Sequence, residues 1–154
     1  MEELSLSGEN LYDLMNSFFK EGCDCSMKIQ CKGNSMAPFL RNKNIVTIDP
    51  LNRKFSPKKG DIVAVAVHAK KRIMVHRIIR TDPPRYLIKG DNNTQSDGWF
   101  QANDILGIIH KIETTTGCGY TPKRWQNIII SMGSRFNILK HAFLPGLKFL
   151  KEVR

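Results

Sequence analysis

The feature that most limits what this chain can fold into is a series of six short runs with strand character between residues 26 and 113. They are SMKIQCK (26–32), NIVTID (44–49), DIVAVAVH (61–68), RIMVHRIIR (72–80), RYLIKG (85–90) and ILGIIHKIE (105–113). β-Branched and aromatic residues favour extended backbone. The segments between, such as DPLNRKFSPKKGD, AKK and TDPP, supply the proline, glycine and aspartate that end a strand and turn the chain. Short runs separated in this way predict an antiparallel, partly closed sheet, and so a mainly β fold.

Helical periodicity flanks the sheet. In ENLYDLMNSFFKEG, Leu11, Leu14, Met15 and Phe18 recur at helical spacing and Gly22 stands where the helix would end, so residues 1–22 are expected to hold one short amphipathic helix. Beyond Gly117, the residues Trp125, Ile128, Ile129, Met132, Phe136, Leu139 and Phe143 form a second apolar stripe. Pro145 interrupts it, and Leu147 and Leu150 resume it, predicting one or two amphipathic helices over 121–154. That stripe either packs on the sheet or lies on a membrane surface with its basic face toward lipid headgroups. With 154 residues, 41% of them hydrophobic, the chain has the size of a single domain, 1–154, able to bury roughly two-thirds of its unfolded surface around a β core at 26–113.

Composition narrows the setting. No stretch approaches the roughly 20 apolar residues that cross a bilayer, and the start, MEELSLSGEN, is acidic and polar where an export signal would be basic and then apolar. A cytoplasmic chain, or one at the inner face of a membrane, is therefore expected. The four cysteines, Cys23, Cys25, Cys31 and Cys118, are unevenly spaced and should be free thiols in such a compartment. Cys23 and Cys25 lack the second ligand pair of a zinc site, so neither a metal nor another cofactor is expected. The net charge of +10 asks for an anionic partner, and the segment 123–154 alone carries +6 of it. An acidic lipid surface reached through that tail fits better than nucleic acid.

Four positions could carry chemistry. GNSMAPFL (33–40) sets Ser35 among small and apolar neighbours, where it is either a turn residue or a nucleophile; the latter requires a base and dipoles to hold an oxyanion. Alternation along RIMVHRIIR puts Met74, His76 and Ile78 on one face, so His76 is either a core histidine with one hydrogen bond or that base. Asp91 and Asp97, in YLIKGDNNTQSDGWF, are ordinary turn residues or carboxylates able to orient an imidazole.

Taken in order, GNSMAPFL, SPKKGDIVAV, MVHRIIR, YLIKGDNNTQSD and ILGII resemble the boxes of type I signal peptidases, most closely the endoplasmic-reticulum and archaeal branch with histidine in place of the bacterial lysine base. The resemblance spans about residues 26–113. It implies a signal-peptidase-like β core shared with self-cleaving repressors, and an endopeptidase that cuts leader or signal-like peptides after small residues. Ser35 fits the nucleophile, His76 the general base and Asp97 the carboxylate that orients it, with Asp91 in support; Met36 would line the pocket for small substrate side chains and Pro38 would fix the turn.

Three departures qualify this likeness. Ser96 stands where relatives usually carry another aspartate, and Gly33 where many place a serine hydroxyl as oxyanion donor, a group worth roughly 2.7–4 kcal/mol. Signal peptidases are also tethered by an N-terminal membrane helix, whereas a short polar-faced helix is expected here, which points toward leader trimming of soluble peptides or toward membrane substrates reached through the basic tail. Two other functions compete. A self-cleaving repressor-type peptidase predicts a DNA-binding module ahead of the sheet and a lysine base, yet 25 residues precede the first run and the base position holds His76. A non-catalytic peptide- or membrane-surface-binding module on the same fold would explain the thinner acidic loop and Gly33.

Overall fold

The computed structural model describes residues 8–20, 22, 24–51, 56–121 and 130. Helix α1 (Gly8–Lys20) precedes strands β1 (Met27–Gln30), β2 (Ile45–Pro50), β3 (Ile62–Val67), β4 (Arg72–Asp82), β5 (Arg85–Lys89), β6 (Gly98–Gln101), β7 (Ile105–Glu113) and β8 (Gly119–Tyr120). Each of the six expected runs forms a strand within two residues of its expected ends. All pairings are antiparallel, in the order β1-β2-β7-β3-β4-β5-β6, with β8 also on β7.

The sheet curls so that its central strands are covered on both sides. In β3, IVAVAV, residues Ile62, Ala64 and Ala66 enter one apolar cluster with Tyr12 and Met15 of α1, Met36, Leu40, Val46, Ile48, Leu106, Ile109 and Ile112. Val63 and Val65 enter the other, with Met74, Ile78, Tyr86, Ile88 and Ile105. An unbroken apolar run is what a strand buried on both faces requires, since each of its two alternating rows needs its own dry surface. Register shifts in β7 opposite Ala64/Val65 and opposite Thr47/Ile48 bend this long strand, letting Leu106, Ile109 and Ile112 all reach the first cluster. Gly107 sits at the tightest crossing: a Cβ there would lie 2.3 Å from the Asp49 carbonyl oxygen.

Helix α1 is turned relative to the expected stripe. Tyr12 and Met15 are buried, Leu11 and Phe19 pack beside them, and Leu14 is 46% exposed. At about 100° per residue Leu14 lies roughly 115° around the helix from the centre of the Leu11, Tyr12, Met15 and Phe19 stripe. Tyr12 takes its place because its hydroxyl also meets His68 Nδ1 at 2.5 Å, so the ring can be buried with its polar atom satisfied. Strands β6 and β8 were not expected. At four and two residues they carry no period of their own, and their extension comes from pairing with β5 and β7. The predicted helices over 121–154, and Cys23 with its conceivable metal role, lie outside the described residues apart from positions 121 and 130. Cys31 and Cys118 carry free thiols, as expected.

Candidate active site

Two loops and one strand meet at Ser35. Its segment leaves β1 through Gly33, whose φ of +92° is backbone that side-chain-bearing residues rarely adopt. The segment then winds through successive turns, with the Ala37 N–H donating to the Asn34 carbonyl at 3.1 Å and the Leu40 N–H to the Met36 carbonyl at 3.0 Å. Asn34 and Asn42 hold its base reciprocally: the Gly33 N–H donates to Asn42 Oδ1 (3.1 Å) and the Asn42 N–H to Asn34 Oδ1 (3.2 Å). Met36 and Leu40, 2% and 3% exposed, anchor it in the first cluster. Ser35 is left half-buried at the crest of this turn.

β4 brings up the imidazole. His76 lies opposite Val63 of β3, on the row that also holds Met74 and Ile78, and is 6% exposed. Its Nε2 is 2.7 Å from Ser35 Oγ and its Nδ1 is 2.7 Å from Asp97 Oδ2. A carboxylate only accepts, so Nδ1 carries the proton and donates it to Asp97, leaving Nε2 to accept the Ser35 hydroxyl proton. Asp97 is itself aimed by its backbone, whose N–H donates to the Ile88 carbonyl at 2.8 Å just before β6 begins. Ser35, His76 and Asp97 thus form one hydrogen-bonded chain, in the geometry by which an imidazole can take a hydroxyl proton and a carboxylate can stabilise the cation formed.

Asp91 is not part of that chain. Both of its oxygens face Arg77, which donates from Nε at 2.8 and 3.1 Å and from Nη2 at 2.8 Å, while Nη1 reaches the Gly60 carbonyl at 2.9 Å. The two side chains are 1% and 0% exposed. Asp91, expected in support of the site, is held in this buried ion pair because strand alternation turns Arg77 to the face opposite His76, and Asp91 follows Arg77. Met36, next to Ser35 in the chain, lies in the core under the turn, and its sulfur accepts the Asp91 N–H at 3.4 Å. Pro38 sits half-buried within the turn, joined to Ala37 by a cis peptide. Ser96 is exposed beside Asp97.

Sequence reasoning passed over three residues that hold this assembly. Arg77 follows the histidine in MVHRIIR, and an arginine inside an apolar strand was a signal that a buried carboxylate must lie opposite. Gly90 is the second: a Cβ on it would stand 2.7 Å from the Ser35 carbonyl oxygen, so the loop after β5 can approach the serine turn this closely only with glycine there. Asn92 is the third, its N–H donating to the Ser35 carbonyl at 2.7 Å and its Nδ2 to the Asn34 carbonyl at 3.2 Å. From the C-terminal side, the Tyr120 hydroxyl donates to the Phe39 carbonyl, and burial pushes that hydroxyl's pKa above its ordinary value.

No group of three metal-ligating side chains occurs among the described residues. Among them, too, no helix is long and apolar enough to cross a membrane. A family model described as Peptidase S24-like matches residues 2–112, most of the chain, whereas no curated protein matches it.

Proposed function

The chain belongs to the Peptidase S24-like family, and from that premise we propose that it is a serine endopeptidase that cuts leader or signal-like peptides after small residues. Membership by itself suggests a serine peptidase or a self-cleaving repressor-type domain; the finer reading rests on one observation, the chain Ser35–His76–Asp97 with both contacts at 2.7 Å. In this reading His76 Nε2 takes the Ser35 proton as Oγ attacks the scissile carbonyl carbon, and the imidazolium is held by Asp97. The oxyanion forms beside the Ser35 backbone N–H, with no hydroxyl from Gly33 to assist. Collapse expels the amine with the proton from His76, and water, deprotonated by the same nitrogen, releases the acyl group from Ser35. A histidine base in place of lysine aligns the site with the endoplasmic-reticulum and archaeal signal peptidases.

Mass-spectrometric detection of cleavage in a diverse peptide library tests this. Wild type should cut after small residues, and Ser35→Ala and His76→Ala should each lower turnover by about five to six orders of magnitude with the fold retained. Near-normal cleavage by Ser35→Ala would refute the assignment. A rate per molecule that is independent of enzyme dilution, with the chain itself as the substrate cut, would favour the self-cleaving reading; absence of any cleavage by folded protein would favour a binding module. The basic segment 123–154, with net charge +6, would bring the enzyme to anionic lipid. Sedimentation with anionic vesicles should then weaken with salt and on replacing Lys140, Lys148 and Lys151.

A further inference from the structure

Strand β6 ends the sheet, and among the described residues nothing pairs with its outer side. Its outer side offers backbone groups to an extended chain that comes alongside, except for the Gln101 N–H, which donates to Asp104 Oδ2 at 2.8 Å. The opposite edge, β1, carries Lys28, a charge of the kind that discourages strand addition; β6, GWFQ, carries none. Trp99 at its centre is 43% exposed, one of three large apolar residues so exposed among those described. It lies across from Leu87 of β5, and two arginines flank it, Arg80 with its guanidinium 5.9 Å and Arg85 with its guanidinium 5.5 Å from the ring centroid. Arg85 is paired with Asp82, so the local excess of positive charge comes from Arg80. β6 also starts at the residue after Asp97, and Trp99 stands two residues, about 7 Å of strand, from the carboxylate that holds His76.

An aromatic side chain held exposed between two cations, on an edge that runs out of the candidate active site and meets a carboxylate only at its far end, where Asp104 caps Gln101, has the components of a peptide-docking strip. We propose that β6 is an exosite for the substrate: an acidic, extended segment of the precursor outside the bond to be cut adds to the sheet beside Trp99, packs an apolar side chain on its ring and sets a carboxylate against Arg80. The inference rests on the peptidase reading for the identity of the occupant. Backbone pairing favours a polypeptide over single-stranded nucleic acid, which could stack on Trp99 and pair with the arginines but has no ladder of amides to offer.

The test uses the full chain carrying Ser35→Ala, so that binding is read without turnover, and Trp125→Phe, which leaves Trp99 as the sole indole. The probe is a synthetic peptide of alternating glutamate and valine. Expected is a saturable change in Trp99 emission that salt weakens, about twofold weaker binding in Arg80→Gln, as for one exposed ion pair, and loss of binding when alternate amides of the probe are N-methylated. An unchanged emission, equal binding of the lysine–valine counterpart, indifference to N-methylation, or tighter binding of oligothymidine than of the peptide would each overturn the proposal. Because none of these readouts involves hydrolysis, they fail or succeed separately from the peptidase assignment. In the active enzyme, Arg80→Gln should raise KM for peptides extended by an acidic segment and leave kcat unchanged.

Discussion

Removing one partner of the buried Arg77–Asp91 pair should be among the most damaging single changes available in this protein. Asp91→Ala deletes the carboxylate that accepts three hydrogen bonds from a guanidinium whose side chain is 1% exposed, while the bond to the Gly60 carbonyl at 2.9 Å is kept. Lys89, the cross-strand neighbour of Arg77 and itself 2% exposed, places a second cation in the same region. Stranding a buried charge in this way costs about 3–5 kcal/mol, a third or more of the total stability of many domains. Exchanging both partners for apolar residues, Arg77→Met with Asp91→Leu, avoids the unpaired charge and should return to within about 1–2 kcal/mol of wild type. Urea unfolding with a constant slope m gives the four corners of this cycle directly. The reasoning is refuted if Asp91→Ala costs less than about 1 kcal/mol, or if the double variant is as unstable as the two single changes added together.

Gly90→Ala probes the clamp on Ser35. No positive φ demands glycine at this position, so the effect comes from the 2.7 Å contact with the Ser35 carbonyl. Relieving it moves the serine turn by several tenths of an ångström and should lower kcat about tenfold, with the fold retained; unchanged kcat would show that the turn tolerates the shift. Asp97→Asn keeps the size of the group but can donate to His76 Nδ1, which drives the proton to Nε2 where the Ser35 hydroxyl must give up its own. Turnover should fall by about three to four orders of magnitude, whereas Asp91→Asn should act chiefly on stability. Burial pushes the Cys31 thiol up to about 12, while Cys118 is exposed with a free thiol. At pH 8 an alkylating reagent should modify the exposed Cys118 far faster than the buried Cys31, read by mass spectrometry of the two peptides, and equal rates would refute the assignment.

What was legible in the sequence is what short-range chemistry decides. Composition and period marked six strands, their turns and the helical segment that became α1, because extended backbone, helical backbone and reversals each depend on residues within a few positions of one another. The family likeness drew attention to Ser35, His76 and the two aspartates. Tertiary structure alone decided how they are arranged. Ser35 and His76 are 41 residues apart and His76 and Asp97 are 21 apart, so their contacts depend on the pairing of β4 with β3 and β5 and on the closeness of two loops. Which aspartate meets the imidazole follows from alternation on β4, where neighbours His76 and Arg77 face opposite sides and each takes its own carboxylate. The same long-range packing rotated α1 to bury Tyr12 in place of Leu14, drew Met36 into the core and induced β6 and β8. In each case the energy comes from surfaces and partners supplied by distant segments, which no local pattern encodes.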